Sequence, residues 1–246
     1  MYTDSHSVDA SQRWQSQYTE IASLAGGLAH EIRNPLSTIS LNLELLEEDL
    51  KAADSPRERR MQQRVHTLQR ECGRLETILN SFLEFARAGT LQLSSADLNE
   101  PVRSFLAFFQ PEAEGRGVEV VPHLAAHLPP VLLDVRLFQE VLQNLSRNAL
   151  QAMPNGGRLE FLTYESDGQV VLELIDTGVG MDAATQSRMF EVFFSTKPGG
   201  SGLGLPTVKK IVEAHGGVIA CESEPGKGTR FRLSWPVVPT LPKRGE

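Results

Sequence analysis

Two patterns of apolar positions divide the chain. Over residues 11–88 apolar side chains recur at a spacing near 3.5: Ile21, Ala25, Leu28, Ile32, Ile39, Leu43, Leu46 and Leu50, then Val65, Leu68, Cys72, Leu75, Leu79 and Phe82. Such a repeat marks the seam of a coiled coil or helical bundle. The first run predicts one long helix from Ser11 to Ala53. Ser55-Pro56 restarts a second, with serine as N-cap and proline at the first helical position, where its missing N–H costs nothing. A short turn between long helices makes an antiparallel hairpin. Two helices alone leave much of both seams uncovered, so a homodimer forming a four-helix bundle is expected. Glu44, Glu47, Glu48 and Asp49 end the first helix, and Arg57, Arg59, Arg60 and Arg64 begin the second. Each set opposes its own helix dipole, and the two compensate when laid side by side. An exposed pair is worth under about 1 kcal/mol, so these charges bias the pairing more than they stabilise it.

Around Ala88-Gly89-Thr90 the heptads stop and short elements follow. A helix over Asn99–Gly115 carries Val102, Phe105, Leu106 and Phe109, and strands are expected at Val118–Pro122 and Val131–Asp134. Arg136–Met153 is a strong helix, with Leu137, Val141, Leu142, Leu145 and Ala149 on one side. Arg158–Tyr164 with Gln169–Asp176 reads as a hairpin, and Val218–Ser223 with Thr229–Trp235 as another. Between them a Gly-rich loop leads into a helix over Gly204–His215. The class is α+β: a long helical hairpin followed by helices packed on one mixed sheet. The boundaries expected are 1–10 disordered, 11–88 helical, 89–98 linker, 99–236 α/β sandwich and 237–246 tail.

Composition narrows what such a chain does. A net charge of −7 disfavours broad nucleic-acid binding. No run of 18 apolar residues marks a membrane span, and Met1–Gln17 is polar with no apolar signal core, so a cytoplasmic chain is expected. Cys72 and Cys221 have no metal-site spacing, and Cys72 falls on the helical seam as a core thiol. His66, His123 and His127 show no partners in the sequence, and His215, before Gly216-Gly217, reads as a helix C-terminal residue.

The candidate chemistry starts at Gly27-Leu28-Ala29-His30-Glu31-Ile32-Arg33-Asn34-Pro35-Leu36. His30 and Asn34 share a helix face beside the seam. A neutral imidazole attacks through one nitrogen while an adjacent carboxylate orients the ring. Pro35 removes its own hydrogen bond to the Glu31 carbonyl, which permits a bend. Alone, this histidine would read as a surface residue; four downstream elements change that. Asn144 and Asn148, one turn apart, can present amide oxygens to a hard cation. Asp176-Thr177-Gly178-Val179-Gly180 ends an apolar strand, and its carboxylate can accept from an exocyclic amine. Phe190-Glu191-Val192-Phe193-Phe194 is an aromatic cluster expected to pack under a loop. Gly199-Gly200-Ser201-Gly202-Leu203-Gly204-Leu205 before a helix makes an anion site, with Lys197 adding charge. It is neither the dinucleotide fingerprint nor the Walker pattern.

In this order these motifs resemble the transmitter core of two-component sensor histidine kinases, over roughly residues 15–236. His30–Leu36 is similar to the family's phosphoacceptor box, Asn144–Ala149 to its N box, Asp176–Gly180 and Gly200–Gly204 to its glycine boxes, and Phe190–Phe194 to its F box. The short lid, Phe193 to Leu205, resembles the nitrogen-regulation subgroup. The resemblance implies a dimerisation and phosphotransfer hairpin followed by an ATP-binding domain of the GHKL type. It implies that His30 accepts the γ-phosphoryl group, that Glu31 orients and deprotonates it, and that Asn34 positions water for a phosphatase reaction. Asn148, with Asn144, would hold Mg²⁺ against the ATP phosphates. Asp176 would read the adenine amine, with Gly178 and Gly180 beside the base and Thr229 near it through water. Lys197, Gly200, Gly202, Leu203 and Gly204 would line the phosphates from a mobile lid. The implied partners are a second copy and a response regulator receiver domain. No sensory module precedes residue 15 and no receiver follows Trp235, so a separate sensory partner is expected, or a core without its sensor. Val192 stands where many relatives have proline and Pro206 where many have a small residue; neither removes a ligand. The alternatives are a GHKL-type ATPase and a catalytically inactive docking scaffold. That ATPase group uses a glutamate where this chain has Asn144, and every box here is intact.

Overall fold

A computed structural model describes residues 32–51, 55–87, 91–197 and 200–238. They form two compact units, a helical hairpin and an α/β unit, each described by itself.

In the hairpin, α1 is described over 32–49 and α2 spans Pro56–Arg87. Ser55 caps α2 as its sequence predicts. Glu58 N–H donates to Ser55 Oγ (3.2 Å) and Ser55 N–H donates to Glu58 Oε2 (2.9 Å), a reciprocal capping box. The two heptad rows have different fates. Leu36, Leu43, Val65, Cys72, Leu79 and Leu83 are buried within the hairpin. Ile32, Ile39, Leu46, Leu68 and Leu75 stay 40–53% exposed. One row closes the hairpin and the other is left as an apolar stripe. Arg33 Nη2 donates to Asn80 Oδ1 across the hairpin (2.9 Å). Glu47, expected to answer arginines, instead accepts from His66 Nε2 (3.0 Å) and Gln69 Nε2 (2.8 Å) on α2. The Gln69 amide and the nearby imidazole hold its carboxyl below the usual range. His66 therefore does have a partner, on the other helix and nineteen positions away.

The α/β unit contains β1 (Ser94–Ala96), α3 (Asn99–Glu114), β2 (Val118–Leu124), β3 (Val131–Leu133), α4 (Val135–Ala152), β4 (Gly157–Ser166), β5 (Gln169–Asp176), α5 (Ala183–Arg188), α6 (Gly204–Ala214), β6 (Val218–Glu224) and β7 (Gly228–Pro236). Five strands form a mixed sheet in the order β2-β4-β5-β7-β6, in which only β2–β4 is parallel. The expectation of one sheet is corrected in one respect. β3 pairs not with this sheet but with β1, in a separate two-stranded ribbon. β1 lies in the segment read as linker; three residues, two of them serine, give no strand signal.

Strand alternation sets the layers. Val170, Leu172 and Leu174 of β5 sit opposite Trp235, Leu233 and Phe231 of β7, and Phe161 of β4 continues the row of Leu174. All are buried, against Leu106 and Phe109 of α3, Phe138, Val141 and Leu145 of α4, and Val208 and Ile211 of α6. Phe138 meets Trp235 edge-on, with ring centroids 5.5 Å apart. The other face is polar: Arg230 and Arg232 flank Glu173, which also accepts from Tyr164 Oη (2.8 Å). Helices thus cover one face only.

Candidate nucleotide site

The last inner-face row of the sheet carries polar residues on three of its four strands. Leu159, Asp176, Thr229 and Ser223 stand in cross-strand register across β4, β5, β7 and β6. The strands' own alternation carries Asp176 and Thr229 to the end of the hydrophobic core, and both are buried. Asp176 Oδ1 accepts the N–H of Gly178 (2.8 Å). Ser223 Oγ takes the N–H of Met181 (2.8 Å), donates to Gly228 O (2.8 Å) and lies 3.0 Å from Thr229 Oγ1. The loop after Asp176 is stitched to two elements: Val179 N–H donates to Ala152 O (3.0 Å) and Gly226 N–H to Val179 O (2.8 Å). Gly180 has φ +67°, and a Cβ there would stand 2.0 Å from Glu224 O. Backbone packing accounts for that glycine, in addition to any role beside a base.

The sequence carries no sign of where Cys221 lies relative to this row. It sits on β6 next to this row, and burial together with the Asp176 carboxylate pushes its thiol up to about 12. The thiolate is the reactive form. At pH 8 Cys221 should therefore alkylate with iodoacetamide about a thousandfold more slowly than an exposed thiol of ordinary pKa. Peptide mass mapping over time checks this, and rates should rise as the pH is raised.

On α4, Asp134 is the N-cap, accepting from Leu137 N–H (3.2 Å). Three turns along, Asn144 and Asn148 occupy the half-buried edge of the helix between the buried Leu145 and Ala149 faces. Asn144 Nδ2 donates to Glu140 O (3.0 Å), and its Oδ1 would lie 3.1 Å from a Cβ added to Gly204. The N box thus meets the start of α6. Two amide oxygens one turn apart, with no cluster of three acidic, histidine or cysteine ligands among the described residues, make an incomplete cation site. That donor set fits Mg²⁺, which takes few protein ligands and completes its shell with phosphates and water.

The glycine-rich turn is held at its base by one backbone bond, Phe193 N–H to Gly202 O (3.0 Å). Both residues have positive φ, +66° in each, and a Cβ on Gly202 would collide with the Phe193 backbone at 2.4 Å. Lys197 O accepts from Gly200 N–H (3.1 Å). Leu203 is fully buried, and its carbonyl accepts both the N–H (2.9 Å) and the hydroxyl (2.7 Å) of Thr207 in α6. Pro206 sits in the first turn of α6 without cost, as expected. The aromatic cluster departs from its reading: Phe193 is 63% exposed rather than packed. Phe194 lies under the Arg188 guanidinium, 4.2 Å from ring centroid to Cζ. In the hairpin, Asn34 is exposed on α1, whereas His30 and Glu31 lie outside the described residues.

Residues 21–91 match the His Kinase A (phospho-acceptor) domain family, and residues 133–239 match the Histidine kinase-, DNA gyrase B-, and HSP90-like ATPase family. The sensor histidine kinase ZraS of Klebsiella oxytoca is 36% identical over 215 residues, covering 87% of this chain and 46% of that protein. The chain belongs to the sensor histidine kinases, as a transmitter core. It spans under half the length of such relatives. The crystal structure of full-length ShkA in complex with AMPPNP aligns with the transmitter core at a TM-score of 0.68 and 28% identity, over 90% of this chain and 47% of that one. ThkA, crystallised with the response regulator protein TrrA, shares the fold at a TM-score of 0.65 and 23% identity, over 96% of this chain and 67% of that one. No helix among the described residues is long and apolar enough to cross a membrane.

Proposed function

We propose that the transmitter core is an ATP-dependent protein-histidine kinase that phosphorylates itself on His30 and passes the phosphoryl group to an aspartate of a response regulator receiver domain. The observation that carries this reading is the convergence, in one unit, of the buried Asp176–Thr229 row, the α4 amides and the glycine-rich start of α6. Asp176 accepts the adenine amine, with Gly178, Gly180 and Thr229 beside the base. Lys197 and the backbone of Gly200, Gly202, Leu203 and Gly204 meet the phosphates. Asn148, with Asn144, would hold Mg²⁺, which would supply charge neutralisation at the phosphates. Transfer forms a bond from an imidazole nitrogen of His30 to the γ-phosphorus and breaks the bond to the bridging oxygen, releasing ADP. Glu31 takes the ring proton. Positioning and electrostatics provide most of the catalysis in such transfers. Asn34, exposed on α1 and four positions after His30 in the sequence, positions water when the protein removes phosphate from the receiver. Asn144 stands where an ATPase of the same fold needs a glutamate base, which disfavours simple hydrolysis. The short lid supports the nitrogen-regulation subgroup, and a cytoplasmic location completes the reading. Incubation with γ-labelled ATP tests it: label on the protein supports the kinase, released phosphate an ATPase, and neither a scaffold.

The same reading includes a homodimer built on the exposed stripe of Ile32, Ile39, Leu46, Leu68 and Leu75. Leu46→Glu with Leu68→Glu should halve the mass seen by light scattering at micromolar concentration while keeping helical circular dichroism. Leu43→Glu and Leu79→Glu should instead open the hairpin itself, since both side chains are buried within it. A parent chain already monomeric at that concentration would overturn the dimer.

A further inference from the structure

Gln92, just before β1, is tied to the far end of α6 through two buried side chains. Asp134 carries three backbone links. Its Oδ1 caps α4 through Leu137 N–H, its Oδ2 accepts Gln92 N–H (3.0 Å), and its own N–H donates to His215 Nε2 (2.9 Å). His215 Nδ1 lies 2.7 Å from Ile211 O. A carbonyl only accepts, so Nδ1 bears the ring proton and Nε2 is the free acceptor that Asp134 N–H needs. His215 is 6% exposed and Asp134 4%. Burial pushes the Asp134 carboxyl up, but the Gln92 and Leu137 N–H groups outweigh it and hold the group below its usual range.

The surroundings make this chain of bonds stiff. Gly216 (φ +69°) and Gly217 close α6 in a Schellman motif, donating to Glu213 O and Val212 O (3.0 and 2.9 Å), so His215 is fixed to the helix end. Just past Gln92, Ser94 Oγ donates to Leu133 O (3.3 Å) and Ser94–Ala96 pair with Val131–Leu133. α6 has eleven residues, a rod of about 16 Å, with the glycine-rich turn at one end and His215 at the other. A shift of α6 when the turn engages phosphate therefore reaches Asp134, and through it Gln92.

We propose that Asp134 and His215 are positioning residues for phosphoryl transfer: they couple α6 to the segment that leads into β1, and the rate of transfer depends on that coupling. This rests on the kinase reading. It differs from a purely structural role in predicting a loss of transfer rate without a loss of nucleotide affinity.

Asp134→Asn is the surgical variant. Asparagine caps helices as well as aspartate does, but its single oxygen cannot serve both Leu137 and Gln92. In the full-length chain it should lower the rate of protein labelling at saturating Mg-ATP by about tenfold, the worth of one hydrogen bond to a charged group. ATP affinity, measured by calorimetry, should stay within about twofold. His215→Leu should give a similar loss, His215→Gln should restore most of it by offering an amide oxygen, and Asp134→Asn with His215→Leu should be no worse than either alone. Full labelling by Asp134→Asn, or losses that multiply in the double variant, would overturn the coupling. If His215→Leu loses ATP binding through misfolding, Asp134→Asn still decides the matter. A parent chain that binds ATP but takes no label overturns the kinase reading itself, a result distinct from any difference between variants.

Discussion

His30→Gln is expected to abolish the label that Mg-ATP places on the chain while leaving ATP affinity within about twofold of the parent. Glutamine offers no ring nitrogen to attack phosphorus, and Asn144, Asn148, Asp176 and Thr229 all lie in the α/β unit. The label on the parent should be a phosphoramidate, lost in acid and stable in base, with one phosphoryl group per active site. Glu31→Gln should slow its appearance by about 10²–10⁴-fold, the usual contribution of a general base. Asn34→Ala should spare labelling and slow removal of phosphate from a receiver domain. Rapid-quench labelling with acid and alkaline stability assays distinguishes these outcomes. Acid-stable label, or label persisting in His30→Gln, would show that the nucleophile has been misassigned.

What the sequence revealed follows from how local each signal is. The heptads from Ile32 onward, the Ser55-Pro56 restart and the two antiparallel strand pairs are carried by neighbours in the chain and appear in the structure, while Ile21, Ala25 and Leu28 lie outside the described residues. Periodicity could not say which heptad row closes the hairpin and which stays exposed, because both rows are apolar. Leu43 and Leu79, which look like dimer contacts in the sequence, are buried within the hairpin. Long-range pairings were hidden for a similar reason. β3 finds β1 across some 37 positions, and His215 finds Asp134 across 81. A histidine next to two glycines signals a helix end, and nothing in that signal announces an acceptor for a distant backbone N–H. Of the site, the glycine boxes were legible as motifs, but their physical demand was only half visible. Gly202 is required by the approach of the Phe193 backbone, and that same clasp leaves Phe193 exposed where packing was expected.

The second large effect is expected at Asp176. One of its oxygens is engaged by Gly178 N–H (2.8 Å), which fixes the carboxylate at the end of its strand. A carboxylate only accepts, so with that bond made it still has lone pairs for the exocyclic amine of adenine. Asp176→Asn leaves one acceptor for two donors. If its oxygen serves Gly178, its amide N–H₂ confronts the adenine amine, donor against donor; if it turns to the amine, the buried Gly178 N–H loses its partner. Either arrangement costs about 1–3 kcal/mol, or roughly 10–100-fold in ATP affinity. Guanine bears a carbonyl where adenine bears the amine, so the same substitution should erode the preference for ATP over GTP by at least about tenfold. Calorimetric titration with both nucleotides checks this, and an unchanged melting temperature would show that the fold survives. A weakened ATP affinity with no change in preference would place Asp176 in the scaffold rather than against the base. Unchanged affinity for both nucleotides would remove the Asp176–Thr229 row from the binding site altogether.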